Sequence, residues 1–223
     1  MAVGPRTRVR QACAPSPCRL CELAPGLPSR ECAATLDAVD FAGDDVGSFL
    51  QCPEDALLDK ADWPDPLPRA RVNVESDEAW HELALHLVSL GIFTTLAEDE
   101  LILAKGQPVL NGLFAVEKKG TPGPGAERVT RLILNMVLAN SLLKAHVGEA
   151  SLLAASTSWT SVVIPEGKLM LWSGDDQKGA FFVWRFPAAW HPYMAVGRPL
   201  PGKVFGRKEP LVYLARRTSS PWR

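Results

Sequence analysis

The sequence contains no apolar run that approaches the roughly 20 residues an α-helix needs to cross a bilayer. Its N-terminal stretch, MAVGPRTRVRQACAPSP, contains arginine, but no apolar segment follows it, which argues against a secretory signal. We therefore expect an intracellular protein of the nucleus or cytoplasm that is neither secreted nor inserted in a membrane. With 223 residues, 47% of them hydrophobic, the chain can bury a core.

Acidic residues are almost missing from the last part of the chain. Between Gln177 and Arg223, one glutamate stands against nine lysines and arginines, which gives a net charge of +8. The first 60 residues instead carry nine acids and six bases, a net charge of −3. Clustered cations attract a phosphate backbone, so the C-terminal part predicts a polyanionic partner. A solvated basic surface without a partner is the alternative.

Cysteine is absent after position 52. Cys18 and Cys21 form a C-x-x-C pair that could hold zinc with two further cysteines, but the spacing fits no familiar zinc module and prolines fill the loops. We therefore expect reduced, unpaired thiols and keep a zinc-stabilised module as an alternative. The five cysteines are Cys13, Cys18, Cys21, Cys32 and Cys52.

Proline-rich stretches suggest how the chain is divided. CAPSPCRLCELAPGLPSREC lies within residues 1–70, and WPDPLPRAR runs across the end of this range. We predict that residues 1–70 form a poorly ordered leader and linker. Residues 71–217 are predicted to form the folded domain, and residues 218–223 a short tail.

Within the predicted domain, the stretch ESDEAWHELALHLVSLGI predicts a helix. Ser76 can cap its N-terminus, two acids follow in the first turn, and Gly91 can end it. Apolar residues recur at a spacing of three to four, which predicts that one face lies in the core. These residues are Trp80, Leu83, Leu87 and Leu90.

From Asn111 onward the pattern favours strands and turns. GLFAVEKK and RVTRLILNMV predict two strands joined by the Gly/Pro turn GTPGPGAE. Further strands are predicted at SVVIPEG, KLMLWS and EPLVYLARR, and helices at NSLLKAHVGEASLLAAS and PAAWHPYM. Helices mixed with an antiparallel hairpin and a sheet indicate an α+β fold.

Two of these segments resemble the reverse transcriptase family. LFAVEKKG followed by RVTRLILN is similar to the fingers hairpin of these enzymes. LMLWSGDDQKGAFFVWRFP is similar to their first palm motif, an apolar strand that ends in Asp and continues as x-K-x-A-[FY]. The resemblance covers roughly residues 75 to 215 and is nearest to divergent reverse-transcriptase-like sequences of dinoflagellate genomes. It implies a partial right-hand polymerase fold and, as partners, an RNA template, a DNA primer and a dNTP.

The palm-like motif implies a metal site. By the resemblance, Asp176 is the catalytic metal ligand, because it stands two residues before Lys178 and five before Phe181, and Asp175 is its neighbour. Polymerases of this kind transfer nucleotides with two Mg²⁺ ions roughly 4 Å apart. Mg²⁺ prefers oxygen ligands such as carboxylates. A plain surface turn is the alternative for the two aspartates.

The resemblance also assigns a nucleotide-binding site. Phe181 corresponds to the aromatic residue beneath the incoming sugar, and the cations of the hairpin correspond to ligands of the triphosphate. A core phenylalanine and solvated loop lysines are the alternatives. The cations are Lys118, Lys119 and Arg131.

One departure from the family bears on activity. The aromatic-x-Asp-Asp hairpin that completes the metal pair in the family is absent from the 223 residues. We therefore expect a truncated, retroelement-derived nucleotidyltransferase fragment with no turnover alone. SGDD also resembles the G-D-D tip of RNA-dependent RNA polymerases, although the x-K-x-A-F-F continuation favours a reverse transcriptase. A non-catalytic nucleic-acid-binding or interaction protein is a further alternative.

Overall fold

Short helices and strands alternate along the chain in the computed structural model, which describes residues 14–42, 44–118, 128–145, 163–169 and 180–216. The helices are α1 (Leu20–Leu23), α2 (Ala38–Ala42), α3 (Asp44–Gln51), α4 (Pro53–Ala56), α5 (Asp77–Ser89), α6 (Val137–Ser141) and α7 (Ala180–Val183). The strands are β1 (Leu36–Asp37), β2 (Phe93–Ala97), β3 (Leu103–Ala104), β4 (Gln107–Pro108), β5 (Gly112–Glu117), β6 (Thr130–Asn135), β7 (Trp184–Arg185), β8 (Ala195–Pro201) and β9 (Leu211–Arg216).

The chain therefore combines helix and sheet, in agreement with the predicted α+β class. A 3₁₀ segment at Ala188–Met194 matches the short helix predicted at PAAWHPYM. None of the helices in the described part of the chain has the length and hydropathy needed to cross a membrane.

Helix α5 begins and ends where the sequence predicts. The Oγ of Ser76 accepts a hydrogen bond from the backbone N–H of Ala79 at 3.1 Å, which caps the first turn. Gly91 follows the last turn with a φ of 72°, a conformation that glycine adopts without strain. The predicted apolar face is confirmed, since its residues Trp80, Leu83 and Leu87 are buried.

Strand β9 is the central strand of a three-stranded antiparallel sheet with the order β2-β9-β8. The sequence predicted β9 but neither of its partners. Phe93 at the start of β2 pairs with Arg216 at the end of β9. This pairing fixes the position of Arg216 at one edge of the main core.

Strands β5 and β6 form the predicted antiparallel hairpin. Their register runs from Gly112 opposite Asn135 to Glu117 opposite Thr130. The other edge of β5 is covered by short backbone segments from earlier in the chain. Ser16 forms an antiparallel bridge with β5, and Val72 forms a parallel one. These bridges satisfy an edge that would otherwise offer free backbone groups to another chain.

Glycine is required where the second of these segments crosses β5. A Cβ at Gly112 would lie 2.6 Å from the carbonyl oxygen of Arg71 and 2.8 Å from its nitrogen. Backbone atoms cannot retreat as a flexible side chain can, so a larger residue would separate the two segments.

The main core lies between α5, the hairpin and the three-stranded sheet. Cys18 and Leu23, from the N-terminal part of the chain, are buried in the same cluster. A second cluster contains Trp63 together with Leu142 and Tyr193. The described part of the predicted leader thus contributes buried residues, whereas the domain boundary at residue 70 stays a prediction.

The strand predicted at SVVIPEG is wrong where the structure describes it. Residues 163–167 form no strand and end in a turn at Glu166 and Gly167. Val163 is 86% exposed, and Pro165 cannot donate a ladder hydrogen bond. β-Branched residues favour a strand only when neighbours pack against them. Lys168 and Leu169 are also outside any strand, and the rest of KLMLWS lies outside the described residues.

The helix predicted from Asn140 is wrong in its described part beyond Ser141, where α6 ends. The backbone N–H of Lys144 donates to the carbonyl oxygen of Ala56 at 2.8 Å, and Leu142 accepts from the N–H of Leu58 at 2.8 Å. Pairing with the segment after α4 therefore replaces helical hydrogen bonds here. Residues 146–156 of the predicted helix lie outside the described residues.

Candidate functional site

The β5–β6 hairpin has one buried face and one outward face, because successive side chains of a strand point to opposite sides. The inward apolar residues of both strands pack into the main core or lie directly against it. On the outward face, Phe114, Val116 and Ile133 are half-buried, whereas Lys118 and Arg131 near the tip are exposed. The buried inward residues are Leu113, Ala115, Thr130 and Leu132.

Lys118 and Arg131 lie on the outward face near the tip. Val116 pairs with Arg131 in the ladder. The backbone N–H of Lys118 donates to the carbonyl oxygen of Val129 at 3.1 Å, which extends the same register beyond the strands. Lys118 is therefore the diagonal neighbour of Arg131, a position within reach of long side chains. Both residues are exposed.

Glu117, which precedes Lys118 in the sequence, forms an ion pair with Arg128. The carboxylate of Glu117 lies 3.4 Å from the guanidinium of Arg128, and both side chains are about half exposed. Such an exposed pair stabilises the fold little, but it offsets the charge of Glu117 locally. Lys118 and Arg131 thus place two cationic side chains on the outward face near the tip.

Three of the residues assigned by the resemblance, Lys119, Asp175 and Asp176, lie outside the described residues. Their distance from Lys118 and Arg131 therefore stays a prediction. Within the ranges that the structure describes, no three His, Cys, Asp or Glu side chains are grouped so that they could hold a metal ion.

Phe181 lies in α7 and is 80% exposed. It is therefore not a core residue in this structure, and its ring is accessible to a ligand. The next residue, Phe182, is partly buried and packs against the main core. Of these two adjacent phenylalanines, one therefore faces solvent and the other packs against the core.

Arg216 is a cationic residue of interest that the sequence did not single out. Its guanidinium carbon lies 5.7 Å from the ring centre of Phe182 and 6.0 Å from that of Phe186. Burial of the guanidinium lowers the pKa of Arg216 to about 10. The side chain stays charged at neutral pH, and the lowered pKa shows that its charge is poorly solvated. The only sequence signal was the basic C-terminal composition.

The cysteines of the described chain are free thiols. Cys18 is buried, whereas Cys21, Cys32 and Cys52 are exposed. Burial raises the pKa of the Cys18 thiol to about 12. Zinc binds the thiolate form, so this environment disfavours Cys18 as a zinc ligand. Cys13 lies outside the described residues.

A cavity of about 610 Å³ lies beside α6 and the 3₁₀ segment. Its lining is mainly apolar and includes Leu57, Met136 and Trp190. The indole N–H of Trp190 is already used, since it donates to the carbonyl oxygen of Leu50 at 2.7 Å. The cavity contains none of the residues that the resemblance assigns to a site.

No protein-family model matches this chain, and a search of curated proteins finds no significant match.

Proposed function

We propose that the chain is a fragment of an RNA-directed DNA polymerase, comprising the fingers hairpin and the start of the palm. In this proposal the outward face of the β5–β6 hairpin contacts the phosphates of a nucleotide or of a primer–template. The observation that supports it most strongly is the common position of Lys118 and Arg131 on this face.

The chemistry of the two cations suits phosphate. A guanidinium offers two parallel N–H donors to phosphate oxygens, and an ammonium acts as a mobile point charge. Because both side chains are exposed near the tip of the hairpin, a ligand can contact them without rearrangement of the core. The exposed Phe181 supplies an apolar surface that a sugar ring could contact.

In this proposal, Asp176 and Asp175 bind Mg²⁺. Adjacent carboxylates are hard oxygen donors of the kind that Mg²⁺ prefers, and in the intact family the ions stabilise the attacking and leaving oxygens. One carboxylate cluster does not complete a two-metal site. We therefore expect no nucleotide incorporation by these 223 residues unless the aromatic-x-Asp-Asp element is supplied in addition.

A second candidate is a non-catalytic nucleic-acid-binding protein. The basic C-terminal part supports it, since Lys203 and Lys208 are exposed there on the turn between β8 and β9. The two candidates differ in ancestry and metal use, but both require binding to a polyanion.

The binding experiment uses fluorescence anisotropy of a labelled RNA–DNA primer–template at several salt concentrations. The wild-type chain should bind with an affinity that falls steeply as salt rises. Loss of two phosphate contacts in the double variant Lys118→Ala/Arg131→Ala should reduce the slope of log affinity against log salt by about 2.

The matched control is Lys60→Ala/Arg69→Ala, which removes the same net charge at exposed positions outside the two hairpin strands. It should bind like the wild type. No salt-dependent binding by the wild type would contradict both candidates. Equal losses in the two double variants would show that only net charge matters and would contradict the hairpin site.

The ancestry is tested by the nucleotide sequence after the codon for Arg223. A Pro-x-Gly turn followed by an aromatic-x-Asp-Asp motif in any reading frame would support the polymerase fragment. A long downstream sequence without either motif would favour the non-catalytic candidate.

A further inference from the structure

Arg216 occupies an unusual environment for a cation. It ends the central strand of the three-stranded sheet, and its guanidinium lies over the rings of Phe182 and Phe186. These rings place apolar surface where water would otherwise solvate the charge. The side chain remains partly accessible, so a ligand can approach it from solvent.

The guanidinium contacts no carboxylate within the described residues. The other arginines of β7 to β9 show the contrast: Arg185 lies 3.8 Å from Asp37, Arg198 pairs with Asp77, and Arg207 lies 3.2 Å from Glu209. Arg216 has two aromatic contacts instead. Cation–π contacts compensate a desolvated charge only in part.

An uncompensated charge in a poorly solvated position destabilises the fold and attracts an anion strongly. The lowered pKa of Arg216 agrees with this geometry. A planar fork of N–H donors packed against two rings is a preorganised site for an oxyanion, because the side chain loses little freedom on binding.

We propose that Arg216, held by Phe182 and Phe186, binds a phosphate group. This inference rests on the proposed function for the choice of phosphate over other oxyanions. The phosphate belongs either to a nucleotide or to the nucleic-acid backbone. Arg216 is then a second phosphate-binding position, separate from the hairpin pair Lys118 and Arg131.

The test measures thermal unfolding of the full chain with and without inorganic tripolyphosphate, at constant ionic strength set with NaCl. Saturating tripolyphosphate should raise the melting temperature of the wild type by about 5 °C, because a ligand that binds only the folded state stabilises it. In Arg216→Met, most of the rise should disappear, and only the part that the hairpin cations contribute should remain. Without tripolyphosphate, Arg216→Met should melt no lower than the wild type, since methionine suits the ring contacts and removes the poorly solvated charge.

Arg216→Lys provides a second variant that keeps the charge but lacks the fork, and it should retain only part of the rise. Arg69→Met is the matched control at an exposed site and should respond like the wild type. A rise of wild-type size in Arg216→Met, or an Arg216→Met chain that melts clearly lower than the wild type because the chain already neutralises this charge, would overturn the inference.

A second ligand, a fifteen-nucleotide oligo(dT), shows whether the phosphate belongs to a nucleotide or to the nucleic-acid backbone. Its binding is measured in the anisotropy assay. A weaker affinity of Arg216→Met for both ligands assigns the backbone, and a loss confined to tripolyphosphate assigns the nucleotide. If the primer–template fails to bind but the Arg216-dependent rise occurs, the proposed function fails while the anion site stands. If Arg131→Met abolishes the rise and Arg216→Met does not, the hairpin alone binds phosphate and the inference fails.

Discussion

The Oδ1 of Asn111 accepts a hydrogen bond from the backbone N–H of Ala139 at 3.2 Å. The side-chain amide of Asn111 donates to the carbonyl oxygens of Tyr193 at 2.8 Å and Ala195 at 3.0 Å. This fully buried residue thus connects the base of the hairpin with α6 and with the three-stranded sheet. The orientation of the outward face depends on this connection.

Replacement of Asn111 by alanine should therefore lower the free energy of unfolding strongly. The carbonyl oxygen of Tyr193 and the backbone N–H of Ala139 would lose this partner, at a cost of about 1–3 kcal/mol for each unsatisfied group, whereas the carbonyl oxygen of Ala195 would keep its bond from the backbone N–H of residue 111. Urea unfolding followed by tryptophan fluorescence measures the change. The control is Asn140→Ala, an exposed asparagine in α6, which should shift stability by less than about 0.5 kcal/mol. Similar losses in both variants would show that Asn111 has no special role.

The thiol of Cys18 should resist alkylation in the folded protein. Its pKa is raised to about 12 by burial, so the reactive thiolate is scarce at pH 8, and the side chain is 1% exposed. Brief treatment with iodoacetamide followed by peptide mass spectrometry should modify Cys21, Cys32 and Cys52, which are exposed. Cys18 should react only after urea is added. Equal labelling of Cys18 in the native protein would contradict its place in the core.

The raised pKa also predicts how stability changes in alkali. The unfolded thiol loses its proton near its ordinary value of 9.0, whereas the folded thiol keeps it until about 12. The contribution of Cys18 to stability is therefore complete below pH 9 and is lost as pH rises toward 12. Cys18→Ala should remove this part of the alkaline decline in the urea midpoint.

His191 should make the fold less stable in mild acid. Burial lowers the pKa of His191 below its ordinary value of 6.5, while the charge of Glu100 raises it to a smaller extent. Below pH 6.5 the unfolded chain binds a proton that the folded chain resists, so stability is complete above this pH and falls as pH decreases. Urea midpoints at pH 7.5 and 5.5 measure the effect.

His191→Gln should reduce the difference between the two midpoints, because glutamine does not titrate. The matched control for the loss of an imidazole is His81→Gln in α5. If both variants behave like the wild type, the burial of His191 does not govern the acid side of the stability curve.

The elements that the sequence predicted correctly are specified by residues within or directly beside them in the sequence. Ser76 and Gly91 mark the ends of α5 through hydrogen bonding and backbone conformation, which depend on neighbouring residues alone. The hairpin strands have β-branched and apolar residues on both sides of a Gly/Pro turn. For these reasons the positions of Lys118 and Arg131 on the hairpin followed from the sequence.

The remaining features depend on contacts between distant segments. Strand β2 begins two residues after Gly91 and contains two threonines, and its partner β9 comes much later in the chain. The aromatic environment of Arg216 arises only when β9 packs beside α7. Backbone pairing with Ala56 and Leu58 overrides the helical pattern after Ser141. No local pattern reports such pairings, so the sequence could not predict them.

The polymerase assignment depends most on the distance between Arg131 and Asp176. Pulsed electron–electron double resonance measures this distance between spin labels at Arg131→Cys and Asp176→Cys. The labelled chain has Cys13, Cys21, Cys32 and Cys52 replaced by serine. We predict a main distance below about 25 Å, on the scale of the domain radius. In a second variant that carries only the Arg131→Cys label, addition of Mn²⁺ should shorten the relaxation time of that label. A main distance well above about 25 Å would place the aspartate and the hairpin cations on opposite sides of the molecule and contradict the account.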